Sequence, residues 1–550
     1  MARPLRVALL QLEARDLGDH DRAWGELLRA VDDAALQDPE LIVLPEASYP
    51  GYFLQSREAY DHAEVHPDQQ VLETLSRRAR QHGVHLAAGL VLRTPDGLEN
   101  ACVLFDPDGR EVGRYAKSFL WHFDRRWFEP GQRYPVFELT FPRAGPTTAG
   151  VLICSDSRLE EIPRAYAIEG ARLIIDPTAW VSSGRDPLQL SNPQIEFLMP
   201  ARAIENGCWV VCADKAGVEG QSIVYAGQSG VIAPGGEWVV RAPSAGAGIV
   251  VHEFDLDTAT GPPIARRPEL FGDLGMAADQ SAAARLAREA LIAEDAAARV
   301  GAAAIDASPS AVALVEGARQ LVRAATTQDA ALVVLPDLAG ADTRAVTERE
   351  TLPLLEALAR ERSVMIAVVL AERAGSATFK TQYLIDPSGV LAAHRQTHLS
   401  ERERAAGFSP GNEPPPVIDT IVGQVGLLAG VEGLVPELVQ SLKLRGSELI
   451  AWSAGDVGAP LRTFARARAL EHHCYVLAAG DTSEDGGGYV VAPAGAVLTE
   501  TLPDRSMVMT ADINRLLARW NDMAPGTNPI HDRAALHAGT VQRAGSSTPS

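Results

Sequence analysis

Apolar and polar positions along the chain alternate between two rhythms. Residues 5–12 form a short, nearly continuous apolar run of the kind that fills a buried strand. Trp24, Leu27, Leu28, Val31 and Ala35 then recur at helical spacing. Residues 41–44 are a second short buried strand that ends at Pro45-Glu46, and Leu72, Leu75 and Ala79 mark another helix face closed by Gly83. Residues 84–92 and 101–105 read as strands, the second followed by a turn at 106–109, where proline presets the second position. Further on, strands at 150–154, 173–175 and 209–212 alternate with helices at 162–170 and 199–205, and 230–236 reads as a hairpin turn. Strands and helices alternating over short connections predict a layered α/β sheet.

The pattern then starts again. After an alanine-rich segment at 277–299, read as a linker helix, residues 300–306 repeat the first strand. The block ending Leu335-Pro336-Asp337 echoes the one ending Leu44-Pro45-Glu46, 384–389 echoes 104–109, and 467–476 echoes 201–210. Asp337 follows Glu46 by 291 positions, whereas Ala467 follows Ala201 by 266, so the second copy is the same unit with shorter loops. Matched blocks in unchanged order establish a tandem duplication. The last residues, 538–550, are small and polar and read as a loose tail.

Composition narrows the function classes. At 550 residues the chain exceeds one ordinary core, and its 46% hydrophobic and 22% charged content is that of a globular protein. A net charge of −21 argues against nucleic acid or an anionic membrane as a partner, because phosphate would be repelled. Five cysteines, at 102, 154, 208, 212 and 474, form neither a disulfide framework nor a zinc-ligand spacing. A reducing cytoplasm fits them. The N-terminus leads into a first strand instead of a signal peptide, and no long apolar span occurs.

Three positions in the first copy carry candidate chemistry. Glu46 ends a strand, Lys117 follows a hairpin, and Cys154 follows the apolar run 150–153, with a polar turn after it whose backbone N–H groups can receive negative charge. Strand ends of a layered α/β sheet converge on one edge, where ligands bind. A carboxylate, an ammonium and a thiol meeting there make a base, an oxyanion partner and a nucleophile. Taken singly, each has a plainer reading: a surface acid after proline, a solvated hairpin lysine, a buried structural cysteine.

The motifs in order are Leu44-Pro45-Glu46 with Gly51-Tyr52, then 114–117, 153–158, 201–207 and 266–271. Across residues 1 to 275 they resemble the nitrilase superfamily of carbon–nitrogen hydrolases. The resemblance implies an αββα sandwich with Glu46 as general base, Lys117 as oxyanion stabiliser and Cys154 as nucleophile, and no metal or cofactor. It also implies a second active-site carboxylate in the loop before Phe128; here that residue is Asp124, one methylene shorter than the family's glutamate. Asp124 would otherwise pair Arg125 or Arg126. Ser155-Asp156 after the cysteine looks like the amidase and carbamoylase branches, where nitrilases usually show Trp-Glu. Arg158 is a candidate clamp for a substrate carboxylate, with pairing to Asp156 or Glu161 as its structural alternative. Tyr52 is a further candidate substrate contact, and His122 reads as a loop contact.

At the matching positions the second copy has Asp337, Gln396 and Gly430, so it is expected to be catalytically inactive. The expected organisation is a catalytic domain at 1–275, a linker helix at 276–299, a degenerate domain at 300–525 and a tail at 526–550, the two domains forming an intrachain pseudo-dimer. The expected activity is hydrolysis of a small linear amide or N-carbamoyl compound through a cysteine thioester. Acyl transfer to an amine, nitrile hydrolysis and a non-catalytic binding role are the rival readings.

Overall fold

The first strand of the chain, Pro4–Glu13, lies at the middle of a sheet because both of its faces are apolar and both are covered. The structure, a computed structural model, describes residues 3–182, 190–290, 297–306, 310–340, 346–455, 457, 460–482 and 487–532. The chain divides into two units, Met1–Pro263 with Ala524–Thr527, and Ile264–Met523 with Asn528–Ser550.

In the first unit Pro4–Glu13 runs parallel to Leu41–Val43, which runs parallel to His85–Arg93; Leu98–Phe105 and Glu111–Ala116 continue antiparallel. Gly248–Asp255 pairs antiparallel with Pro4–Glu13, and Lys215–Glu219 joins near its end at Leu12↔Lys215. A second sheet has the order Trp238–Arg241, Gly230–Ile232, Trp209–Ala213, Leu173–Pro177, Gly145–Val151, Val136–Phe141. Helices His20–Ala35 and Asp68–His82 bury Trp24, Leu27, Val31, Val71, Leu75 and Ala79 against Ala8, Leu10, Ile42, Leu86 and Leu90 of the first sheet. Helices Glu161–Ile168 and Met199–Asn206 cover the second sheet. Gly83 and Gly207 end their helices at φ 64° and 57°, the left-handed stop that glycine permits. The architecture is an αββα sandwich.

The second unit repeats it. Its sheet runs Gly389–Arg395, Ala377–Asp386, Met365–Ala374, Leu332–Asp337, Ala297–Ile305, Tyr475–Asp481, Leu449–Ser453, Gly423–Ala429, Val417–Thr420. Among the described residues the two halves of this sheet are joined by the register pairs Ala304↔Gly480 and Ile305↔Asp481. Helices Ala311–Thr326 and Glu348–Arg362 bury Ala318, Val322, Leu355 and Leu358 as their counterparts do in the first unit.

Three expectations about boundaries change. Residues from Ile264 onward belong to the second unit: Arg266 pairs with Glu437 at 2.9 Å, and Arg267 donates to the carbonyls of Thr397 and Gly411. The expected linker helix is the helix Ala282–Ala290, which lies against Pro436–Leu444 and Leu516–Arg519 within the second unit; Ala297 already begins the next strand, and 291–296 lie outside the described residues. The expected tail starts with packed residues, since Thr527 is buried and accepts the His122 backbone N–H at 2.7 Å; 533–550 lie outside the described residues.

One buried histidine makes the second unit sensitive to acid. His398 lies parallel to the Phe271 ring at 5.8 Å, and burial pulls its imidazole down to about 4, against the opposing influence of Glu432 and Glu437. Between that value and the ordinary 6.5 the unfolded chain holds a proton that the folded chain rejects. Stability therefore falls as the pH drops through this window, by on the order of 3 kcal/mol at its lower end. His398→Phe is expected to flatten the pH dependence of the urea midpoint across that window, and an unchanged slope would contradict this.

Candidate active site

Glu46 is positioned by both sheets at once. Its backbone N–H donates to Thr178 O at 3.2 Å, and the next turn is tied to the neighbouring strand by Ser48 N donating to Gly89 O at 2.8 Å. Gly89 has to lack a side chain: a Cβ there would stand 2.1 Å from Pro45 O. Lys117 follows the strand Glu111–Ala116 and is fixed by its backbone N–H on Asn100 O at 2.8 Å. Its Nζ donates to Glu46 Oε1 and to Asp124 Oδ2, each at 2.7 Å, and all three side chains are wholly buried. Asn100 Nδ2 also donates to Glu46 Oε1, at 2.6 Å. The other oxygen, Glu46 Oε2, is buried without a hydrogen-bond partner. One carboxylate oxygen is thus saturated and one is open, as a group that takes up a proton needs to be.

Burial works against the charge on Lys117, but Asp124 and Glu46 outweigh it and hold the ammonium well above its ordinary range. Asp124 reaches the lysine despite its short side chain, because the turn His122–Arg126 carries it inward; its Oδ2 also accepts Trp121 N at 3.0 Å. Pairing with Arg125 or Arg126 is therefore not its role. The Tyr52 hydroxyl donates to Asp124 Oδ1 at 2.5 Å, so this tyrosine is committed to the carboxylate.

Cys154 does not end a strand. The strand Gly145–Val151 stops earlier, and Cys154 opens the 3₁₀ turn Cys154–Arg158 with φ at 49°. Such a left-handed conformation at a non-glycine residue is held by its surroundings. Cys154 N donates to Asp176 Oδ1 at 2.9 Å, while Gln194 Nε2 and Ser157 Oγ both donate to Cys154 O at 2.8 Å. Asp156 ties the turn to the lysine strand by accepting Ile153 N, Phe119 N and the Tyr115 hydroxyl. The amide of Cys154 itself is thus already engaged, by the Asp176 carboxylate. Burial, then the charge of Glu46, push the Cys154 thiol well above its ordinary range, with Lys117 pulling the other way. A thiol placed in this way acts as a nucleophile only with the help of a base.

Arg158 pairs with neither Asp156 nor Glu161. Its guanidinium stacks over the Trp121 ring at 4.3 Å, and burial lowers it to about 10, so it remains cationic at neutral pH. Among the described residues no carboxylate forms a salt bridge with it. His122 makes its expected loop contacts, against the Phe123 ring at 5.2 Å and through its N–H to Thr527.

The family model for carbon–nitrogen hydrolases matches residues 6–261 and, separately, 297–522. The chain belongs to the carbon–nitrogen hydrolase family. It is an enzyme of non-peptide carbon–nitrogen bonds. Sequence relatives include a nitrilase of Pyrococcus abyssi, 30% identical over 46% of this chain and 90% of that protein. Others are an (R)-stereoselective amidase of a Pseudomonas species, 30% identical over 46% and 85%, and the omega-amidase of Homo sapiens, 28% identical over 46% and 88%. A crystal structure of an amidase from a Nesterenkonia species is 28% identical and covers 49% of this chain and 95% of that one, with a TM-score of 0.40. No helix among the described residues is long and apolar enough to cross a membrane.

The second carbon–nitrogen hydrolase unit keeps the scaffold and changes the contents. Gly430 has φ 51°, matching Cys154, and Glu432 accepts Ala429 N and Thr397 N as Asp156 accepts Ile153 N and Ser118 N. Arg468 donates to Gly433 O as Arg202 donates to Ser157 O. A Cβ at Gly430 would stand 2.5 Å from Gln396 Oε1, so the glutamine occupies the space a thiol would need. Gln396 in place of the lysine does not leave this unit without a buried ammonium: Lys380, on the strand neighbouring Gln396, is salt-bridged to Asp337 and reaches Glu403 at 2.7 Å. The lysine has moved from the position of Lys117 to that of Asn100, and Glu403 stands where the first unit has Asp124. Gly430 leaves no thiol at the position that matches Cys154.

Sequence reasoning missed Asn100, Asp176 and Lys380. Each is a buried polar residue within a strand, Asn100 in Leu98–Phe105, Asp176 in Leu173–Pro177 and Lys380 in Ala377–Asp386, and buried polar side chains need partners.

Proposed function

We propose that the first unit hydrolyses a small linear amide or N-carbamoyl compound carrying a carboxylate, through a thioester on Cys154. The observation that carries the reading is the buried, unpartnered Glu46 Oε2 beside an ammonium and a thiol. Glu46 takes the thiol proton as Sγ forms a bond to the amide carbon, and Lys117 receives the charge gathering on oxygen. Such a donor is typically worth ~3 kcal/mol of barrier. Collapse breaks the C–N bond, and Glu46 returns the proton to nitrogen, releasing ammonia or an amine. Water then attacks the thioester carbon with Glu46 as base again, giving the acid and the free thiol.

Arg158 supports the substrate carboxylate. A buried guanidinium four residues past Cys154 and within its electrostatic influence, stacked on Trp121 and lacking an anionic partner among the described residues, is suited to receive one. Arg158→Leu is expected to lower the kcat/KM ratio of a carboxylated amide to its uncharged counterpart by ~10–100-fold, the worth of one charged pair. An unchanged ratio would remove the carboxylate from the proposal. The wider reading is tested by screening ammonia release over amides, carbamoyl amino acids and nitriles. Activity on nitriles alone would overturn the choice of substrate class.

A further inference from the structure

We infer that Glu219 is a positioning residue for the Lys117 ammonium, acting at a distance through Tyr52 and Asp124. Glu219 ends the strand Lys215–Glu219 and is fully buried. Its Oε1 accepts the backbone N–H groups of Tyr52 and Phe53, both at 2.7 Å. Its Oε2 accepts the Tyr225 hydroxyl at 2.7 Å and Lys215 Nζ at 3.3 Å. A carboxylate with two oxygens has about four acceptor sites, so this one is saturated. Gly51 makes the approach possible, because a Cβ there would lie 2.9 Å from Glu219 Oε1. Glu219 therefore sets where the backbone of Tyr52 stands.

From that fixed backbone the link to the reacting groups is short. The Tyr52 ring is caged by Phe123 at 5.7 Å, with Trp127 and Tyr225 each at 6.4 Å, so the side chain has little room to compensate for a moved backbone. Its hydroxyl holds Asp124 Oδ1 while Lys117 holds Oδ2. If Tyr52 shifts, Asp124 loses one restraint, and Lys117 is no longer balanced between Asp124 and Glu46. Its remaining N–H then points away from where an oxyanion forms, and misplacements of about an ångström cost rate steeply. Lys215 takes part as the charge that Glu219 offsets, with Nζ 5.6 Å from the Tyr225 ring centre.

The inference rests on the catalytic reading above, and a double-mutant cycle separates the two. Glu219→Gln keeps the volume but turns a donor toward Lys215 and Tyr225. It is expected to lower kcat ~10–30-fold with KM changed less than about threefold, and to lower kcat less than about twofold when introduced into Tyr52→Phe. A merely structural glutamate would cost the same factor in both backgrounds. That additivity, or no loss in either, would overturn the inference. Should Glu219→Gln fail to fold, Tyr225→Phe goes through the same cycle, with a ~3-fold loss expected only when the Tyr52 hydroxyl is present. Cys154→Ala is measured alongside: if it stays active, the catalytic reading itself falls. If it is inactive while the cycle is additive, only the role of Glu219 falls.

Discussion

Lys117→Met is expected to lower kcat/KM by at least ~10³-fold and to destabilise the first unit by about 3–5 kcal/mol at neutral pH. The two effects share one cause. Lys117 is the cation between Glu46 and Asp124, and all three side chains are wholly buried. Removing one member of a buried ion cluster leaves the others charged without compensation, which costs more than the pair was worth. Methionine fills the volume, so the loss is electrostatic and not a cavity. Acid offers a check on the sign. Lowering the pH supplies protons to the stranded carboxylates, so the deficit relative to wild type is expected to shrink as the pH falls. Urea denaturation at neutral and mildly acidic pH measures this. An equal deficit at both would mean that packing, not charge, is what the lysine supplies.

Cys154→Ala is expected to reduce turnover by at least ~10⁴-fold while leaving the fold intact. Only one atom is lost, and the backbone restraints of the turn come from Asp176, Gln194 and Ser157, none of which uses the sulfur. All five cysteines are buried, and what sets Cys154 apart is its surroundings: the charges of Glu46 and Lys117 act on its thiol, whereas the leading influences on Cys102, Cys208, Cys212 and Cys474 are other groups. Steady-state ammonia release on the variant, with circular dichroism as the folding control, decides the matter; residual activity within tenfold of wild type would place the nucleophile elsewhere.

What the sequence made legible follows the range over which its signals act. Apolar periodicity located Pro4–Glu13, His20–Ala35 and Asp68–His82, because strand and helix faces are local patterns, and the strands Ala297–Ile305 and Leu332–Asp337 were found as repeats of the first copy's blocks. Duplication was readable because Leu44-Pro45-Glu46 and Leu335-Pro336-Asp337 retain the same flanking apolar run. The motifs pointed to Glu46, Lys117 and Asp124, and the fold brings their charged groups together.

The rest depended on pairings between distant segments. Glu219 meets Tyr52 across 167 positions, and nothing in either local stretch announces it. The partner of Arg158 was sought among nearby acids, yet Asp156 is saturated by backbone and hydroxyl donors from 115–119 and 153. The lysine of the second unit was hidden by its move to a neighbouring strand. Sequence alignment by position found Gln396, while the space is filled by Lys380 reaching in from Ala377–Asp386. Strand register, which places Thr381 opposite Arg395, is what exposes the exchange.

The most direct measurement is rapid-quench mass spectrometry of the full chain turning over a small amide. An adduct equal to the substrate less ammonia, confined to the peptide containing Cys154 and absent from Cys154→Ala, is the expected result. Turnover with no adduct under denaturing quench in both acylation- and deacylation-limited conditions, or an adduct on any other residue, would contradict a thioester at this sulfur.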